Sequence, residues 1–353
     1  MMTYVPNDSL DPRFNLALEE YILRDCPLDG PCLLLWRNSP SVIIGRFQNT
    51  LDEINPDYIA ENGVNVVRRI TGGGAVYHDL GNLNFSFIER APEDGINLRM
   101  FTDRVAVALR RMGLDVGVSG RNDLTIDCRK FSGNAQYRYK DRVLHHGTIL
   151  YDSNLENVQA ALNVKAEKMA SKGVRSVRAR VTNLSAYMPR PIPILEFRDS
   201  LLGEFLRDEQ ASGPSIRHLD ERDMLAVRRL IDDKYSTWDW NFGRSPEYNL
   251  KGAGRFACGS VEAYLKVERG VIQSCRIYGD FFADEDISGL EAGLVGTGYA
   301  EADLREAYGR LGAGRYIPGM GIEDFLRLLL LSGWQGFPPI PRQGEAEECN
   351  HDR

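Results

Sequence analysis

With 353 residues, 43% of them hydrophobic, the chain can bury one large core and a second small one, since domains commonly run to roughly 100–200 residues. A formal net charge of -7 argues against a general basic face for nucleic acid or a membrane surface. Six scattered cysteines without a CxxC pair suggest neither a zinc knuckle nor a disulfide framework. With no apolar signal core near Met1 and no apolar run, 328–331 included, long enough to span a bilayer, the expectation is a cytoplasmic protein, monomeric by default.

Residues 14–22 put Phe14, Leu18 and Tyr21/Ile22 on one face after the start signals Asp11 and Pro12, which predicts a helix. Residues 32–36 and 41–45 are short apolar runs bracketed by Gly, Pro and Asn, as buried strands are. A helical pattern returns at 57–62, and 64–67 leads as a strand into Arg68-Arg69-Ile70-Thr71-Gly72-Gly73-Gly74-Ala75-Val76-Tyr77-His78. Residues 83–88 alternate strictly and predict a half-buried strand; 102–112 reads as a helix with Val105, Leu109 and Met112 inward. Strands at 123–127 and 143–150 should join one mixed sheet, with helices after them at 154–162 and 194–206. The pattern breaks into an aromatic loop at 237–246, then strands return at 260–267 and 271–278 and helices at 301–308 and 321–331. The expected architecture is an α/β (α+β) chain with a large domain over 1–240, a small accessory domain over 241–337 and a disordered tail over 338–353.

Three consecutive glycines beside Arg68 and Arg69 let bare backbone approach an anion that the guanidinium groups can neutralise, so the run reads as a nucleotide phosphate site. It lacks the GK[ST] ending of a Walker loop, and no GxGxxG opens a helix after a strand. Some fifty residues on come Asn122-Asp123-Leu124, Lys130-Phe131-Ser132-Gly133-Asn134-Ala135 and His145-His146-Gly147-Thr148. Lys130, read as lying between a strand and a small-residue turn, could hold a substrate carboxylate against the α-phosphate of ATP and offset the charge of the transition state. Together the clusters point at adenylate-forming chemistry. Adjacent histidines on a strand face opposite ways, so His145 and His146 cannot easily share a metal, and His146 is expected to face the cleft. Asp123 is either a Mg²⁺ ligand or a structural aspartate at a strand end. Between 165 and 190 seven basic residues stand against the single acid Glu167, which is either a binding loop or a solvated face.

The segments RRITGGGAVYHDLGNLNFSF, GRNDL, RKFSGNA, LHHGTIL and KGVRSVRARVTNL resemble the lipoate–protein ligase A family, in order from about Asp11 to Asn183. Trp238-Asp239-Trp240-Asn241-Phe242-Gly243 and the strands after it resemble that family's small C-terminal domain. The resemblance implies a mixed-sheet, biotin/lipoyl ligase-like catalytic domain and a small α/β C-terminal domain. It also implies a two-step reaction. Lipoate and ATP, with Mg²⁺ and no tightly bound prosthetic group, give lipoyl-adenylate and pyrophosphate. The adenylate then acylates a lysine on lipoyl domains of 2-oxoacid dehydrogenase E2 subunits or glycine-cleavage H protein.

Residue by residue, Arg69, Gly74, Ala75, Val76 and Tyr77 match the family's ATP-binding positions, and Lys130 matches the catalytic lysine that touches both ATP and lipoate. His78, His146, Arg69 and Thr71 fall with the lipoate pocket. Lys172, Ser176, Arg178, Thr182 and Asn183 fall in the adenylate-binding loop. One departure is Tyr137, where many members carry arginine.

Three other readings compete. An octanoyl or lipoyl transferase would need a reactive thiol, yet no cysteine lies between Cys128 and Cys258; Cys128 abuts the lysine strand and could be argued for, but reads as a buried structural thiol. A biotin ligase would carry arginine inside its glycine loop. A silent binding protein would have no use for Arg69, the glycine run and Lys130 together.

Overall fold

The computed structural model describes residues 1–330 except 29, 92–97, 121, 163–180, 208–214, 243–247, 249 and 284. The expected tail at 338–353 and the loop residues Lys172, Ser176 and Arg178 lie outside the described residues. The chain divides into two compact units, Met1–Ser245 and Pro246–Arg353.

The first unit holds eleven described strands: β1 (Thr3–Tyr4), β2 (Cys32–Trp36), β3 (Ser41–Ile44), β4 (Asn65–Arg68), β5 (Val76–His78), β6 (Asn82–Arg90), β7 (Val116–Ser119), β8 (Asp123–Ile126), β9 (Arg129–Tyr139), β10 (Arg142–Leu150) and β11 (Ser215–Ile216). Eight form a mixed sheet in the order β11-β1-β2-β6-β10-β9-β8-β7. The other three form a separate sheet, β4-β3-β5, rather than joining the first. The glycine run explains the division. It leaves β4 on one side of β3 and returns as β5 on the other, so it must pass over the end of β3. The backbones meet there: a Cβ on Gly45 would strike the Gly73 carbonyl, and Gly73 itself has φ +92°.

Alternation sorts the large sheet's side chains onto two cores. Leu33, Leu35, Leu83, Phe85 and Phe87 face the helices Leu98–Arg111 and Ile194–Phe205. Leu34, Trp36 and Ile88 face the helix Pro12–Arg24, which Asp11 caps by accepting from Arg13 N at 2.9 Å. β6 is therefore not half-buried. Its polar stripe, Asn82, Asn84 and Ser86, is as deeply buried as its apolar one, because the helix and the small sheet cover that face.

Ser132–Ala135, expected as a turn, lies inside the long strand β9. The turn falls earlier, where Asp127 and Cys128 both adopt left-handed φ (54° and 59°) between β8 and β9, and the Cys128 thiol is exposed there, not buried as the sequence predicts. The aromatic stretch after 237 begins with a short helix, Trp238–Asn241, capped by the Thr237 side chain.

The second unit is an antiparallel sheet of β12 (Leu250–Phe256), β13 (Gly259–Glu268) and β14 (Val271–Gly279), followed by helices that include Glu301–Leu311 and Ile322–Leu329. Leu265, Ile277, Leu290, Leu304 and Phe325 are among its buried residues. Among the described residues no helix is long and apolar enough to cross a membrane.

Candidate active site

A cavity of about 140 Å³ opens where the small sheet, the Pro12–Arg24 helix and the centre of the large sheet meet. Leu16, Trp36, Ile43, Val76 and Ala135 supply an apolar wall; Arg69, His78, Asn84, Lys130 and His146 supply the polar one. Gly73 and Gly74 form part of the lining, and Gly74 has open space where a Cβ would be. On β10, a Cβ on Gly147 would meet the side chains of Phe85 and Asn134, so a larger residue there would have to displace them.

The two arginines before the glycine run do not share one task. Arg68, 2% exposed, turns away from the cavity and donates to the carbonyls of Gly45 (2.9 Å), Arg46 (3.0 Å), Gln48 (2.6 Å) and Trp240 (2.8 Å) and to Thr50 Oγ1 (2.7 Å). It staples the segment after β3, and the expectation that it would neutralise an anion is corrected. Arg69 lines the cavity but spends its donors on Ile43 O (3.1 Å), Gly72 O (2.8 Å), Gly74 O (2.8 Å) and Thr71 Oγ1 (2.9 Å). Burial pulls its pKa down to about 10, which leaves it charged at neutral pH.

Lys130 is held differently. Its Nζ lies 2.7 Å from Asp123 Oδ1, with the two side chains 41% and 34% exposed. Such a pair contributes about 0–1 kcal/mol, so the ammonium can exchange this partner for a ligand at little cost. The strands beneath are tightly laced: Asn122 Nδ2 donates to Asn134 O (2.7 Å), and Asn134 Nδ2 donates to Asn122 O (2.9 Å). Thr182 N donates to Lys130 O (2.9 Å), and Asn183 bonds the Ser153 backbone through both side-chain atoms. The end of the expected adenylate loop thus runs beside Lys130.

The neighbouring histidines separate. His145 packs between Phe101 and Phe85, with centroids 4.7 and 6.1 Å away, and burial holds its pKa well below the usual value. His146 lines the cavity. Its Nδ1 donates to the buried carboxylate of Glu19 (2.9 Å), and its Nε2 lies 2.8 Å from Thr71 Oγ1, the atom that Arg69 also reaches. Glu19 further accepts from Ser86 Oγ (2.5 Å), which accepts from Trp36 Nε1 (2.8 Å). One hydrogen-bonded chain therefore ties β2, β6, the first helix and β10 to the glycine run.

Among the expected residues, Arg69, Gly74, Ala75, Val76, His78, Lys130 and His146 line the cavity, and Thr71 supports it from behind. The Tyr77 side chain points the other way, into a core with Val42, Ile44 and Val66, as strand alternation requires of the residue between Val76 and His78. At Tyr137 a cation is nonetheless near, because the Arg46 guanidinium stands 5.1 Å from its ring centre. No group of three or more His, Cys, Asp or Glu among the described residues could hold a metal. Sequence reasoning missed Glu19, Asn84 and Trp36. Adjacent glutamates inside an apolar helix and the polar half of a strictly alternating strand were the available signals.

The profile of the lipoyl protein ligase A/B catalytic domain matches residues 11–206, which sets the first unit in that class. The profile of the bacterial lipoate protein ligase C-terminus matches residues 245–329. The chain is 42% identical over 330 residues to lipoate-protein ligase LplJ of Bacillus subtilis, covering 93% of this chain and 100% of that protein. LipL1 of P. falciparum, solved in complex with lipoate, superposes with a TM-score of 0.73 at 27% identity, covering 89% of this chain and 98% of that one. A lipoate-protein ligase A bound with ATP gives 0.59 at 30% identity, covering 68% and 98%. The chain belongs to the lipoate–protein ligase family and is an ATP-dependent ligase of that kind.

Proposed function

We propose that this enzyme joins lipoate to ATP and then to a protein lysine, within the cavity bounded by the glycine run and Lys130. In the first step a lipoate carboxylate oxygen attacks the α-phosphorus, the bond to the β-phosphate bridge breaks, and pyrophosphate leaves with lipoyl-adenylate formed. In the second, a neutral lysine amine attacks the acyl carbon, AMP leaves, and the amide nitrogen releases a proton to solvent. The acceptors are lipoyl domains of 2-oxoacid dehydrogenase E2 subunits and glycine-cleavage H protein.

The observation that carries this reading is the position of Lys130: a half-exposed cation, weakly paired, at a cavity that also offers bare glycine backbone and an apolar wall. Lys130 touches carboxylate and α-phosphate together, which supplies both alignment and charge. Arg69 and the backbone of Gly74–Val76 shape the phosphate side. The apolar wall stabilises the acyl chain by about 0.8 kcal/mol per buried CH₂, and a closed site protects the mixed anhydride from water. Asp123 is the protein carboxylate that would hold a Mg²⁺ ion carried by the ATP phosphates, and the ion would offset their charge.

Pyrophosphate release from lipoate and ATP with no acceptor tests the first step, and AMP-coupled lipoylation of purified lipoyl domains and H protein tests the second. A chain that modified an acceptor without ATP would contradict the reading.

A further inference from the structure

Two residues of the cavity wall carry buried donors that have no partner among the described residues. Asn84 is 1% exposed, and its register partners Trp36 on β2 and Thr148 on β10 line the cavity on either side of it. Its Oδ1 accepts from Asn82 Nδ2 at 2.9 Å, which turns its own Nδ2 the other way, and that atom has no partner among the described residues. His78 is 3% exposed and stands edge-on to Trp36, with ring centres 6.2 Å apart. Asn38 Oδ1 accepts from Asn15 Nδ2 at 2.8 Å, so the Asn38 amide presents its Nδ2 to His78 Nδ1, at 3.0 Å. A ring nitrogen that accepts there leaves the hydrogen on Nε2. This second atom also has no partner among the described residues. Burial lowers the His78 pKa to about 3, so the ring is a neutral donor.

Buried donors are bonded as a rule, and an exception in a cavity wall points to a water or ligand acceptor. These two lie on a wall whose other members, Trp36, Leu16, Ile43 and Val76, suit a hydrocarbon chain. The acceptor that fits is weak, polarisable and attached to an apolar chain. A saturated acyl tail offers none; a dithiolane ring offers two sulfurs.

We propose that Asn84 Nδ2 and His78 Nε2 form a two-donor subsite for the dithiolane sulfurs of lipoate and set the enzyme's preference for lipoate over octanoate. The inference rests on the functional reading above, because it assumes that the acyl chain occupies this cavity.

A carbocyclic isostere, 5-cyclopentylpentanoate, keeps the ring and chain of lipoate but replaces both sulfurs with CH₂, which separates shape from hydrogen bonding. Calorimetric Kd values on the wild-type protein should favour lipoate over the isostere by about fivefold or more, the combined effect of two weak bonds. Asn84→Leu and His78→Phe should each narrow that ratio, and both should improve octanoate use in pyrophosphate release. Equal Kd values for lipoate and isostere on the wild type would overturn the subsite even if neither variant folds. So would folded variants that keep the wild-type ratio. Pyrophosphate from neither acid would instead defeat the functional reading, and the subsite with it.

Discussion

The glycine wall and the Lys130 strand hold their cations by opposite means. Arg68 and Arg69 are buried, and carbonyl and hydroxyl oxygens occupy their donors. Lys130 is half-exposed and leans on one partly exposed carboxylate. A cation whose hydrogen bonds are spent on backbone holds a shape, and losing it leaves buried acceptors unpaired. A cation on a weak surface pair is available to a ligand, and losing it should leave the fold intact. The arginines thus build the wall, and the lysine works at it.

That contrast can be broken in several places. The largest stability loss should follow Arg68→Ala, which strands four acceptors after β3 and the Trp240 carbonyl: about 3 kcal/mol or more, read from urea unfolding. A loss under 1 kcal/mol would show that the staple is dispensable.

Acid should come next. His78, with a folded pKa of about 3, and His145, well below its usual value, are both buried neutral, whereas the unfolded chain protonates them near 6.5. Their stabilisation is complete above pH 6.5 and is lost as pH falls below it, toward the folded values. Between pH 6.5 and 5 His78 should account for about 1–2 kcal/mol of lost stability, and His145 should add to the loss in the same direction. His145→Phe should flatten the slope; an unchanged slope would contradict the assignment.

Glu19→Gln should cost about 1–2 kcal/mol, because one carboxylate serves both Ser86 and His146. It should also slow pyrophosphate release through the His146–Thr71–Arg69 chain.

The smallest effect is expected at the turn before Lys130. Cys128→Gly relieves a left-handed φ and should stabilise by about 1 kcal/mol. Cys128→Ser should leave ATP-dependent turnover in place, and total loss would revive a thiol mechanism.

Much of this site was legible in the chain, for identifiable reasons. Consecutive glycines have few uses, and the passage over the end of β3 is one that demands them. Opposite faces for His145 and His146 follow from strand geometry alone. Other features depended on tertiary context. Period-two alternation marks two faces of β6 but not what covers them, so Asn84 read as surface when it lines the cavity. Arg68 and Arg69 look equivalent in one dimension; only the sheet they enter decides that one turns inward to carbonyls and the other toward the cavity. Ser132–Ala135 has turn-like composition, yet pairing with β10 extends it as strand. Tyr77 falls inside the motif but alternates away from the cavity.

The most direct test of the lysine's role is pyrophosphate release by Lys130→Ala at saturating lipoate and ATP, with Tm measured on the same sample. The structure predicts a rate lowered by about 10²–10³ with Tm nearly unchanged. A rate within a few-fold of wild type, or a loss that merely tracks a fall in Tm, would contradict it.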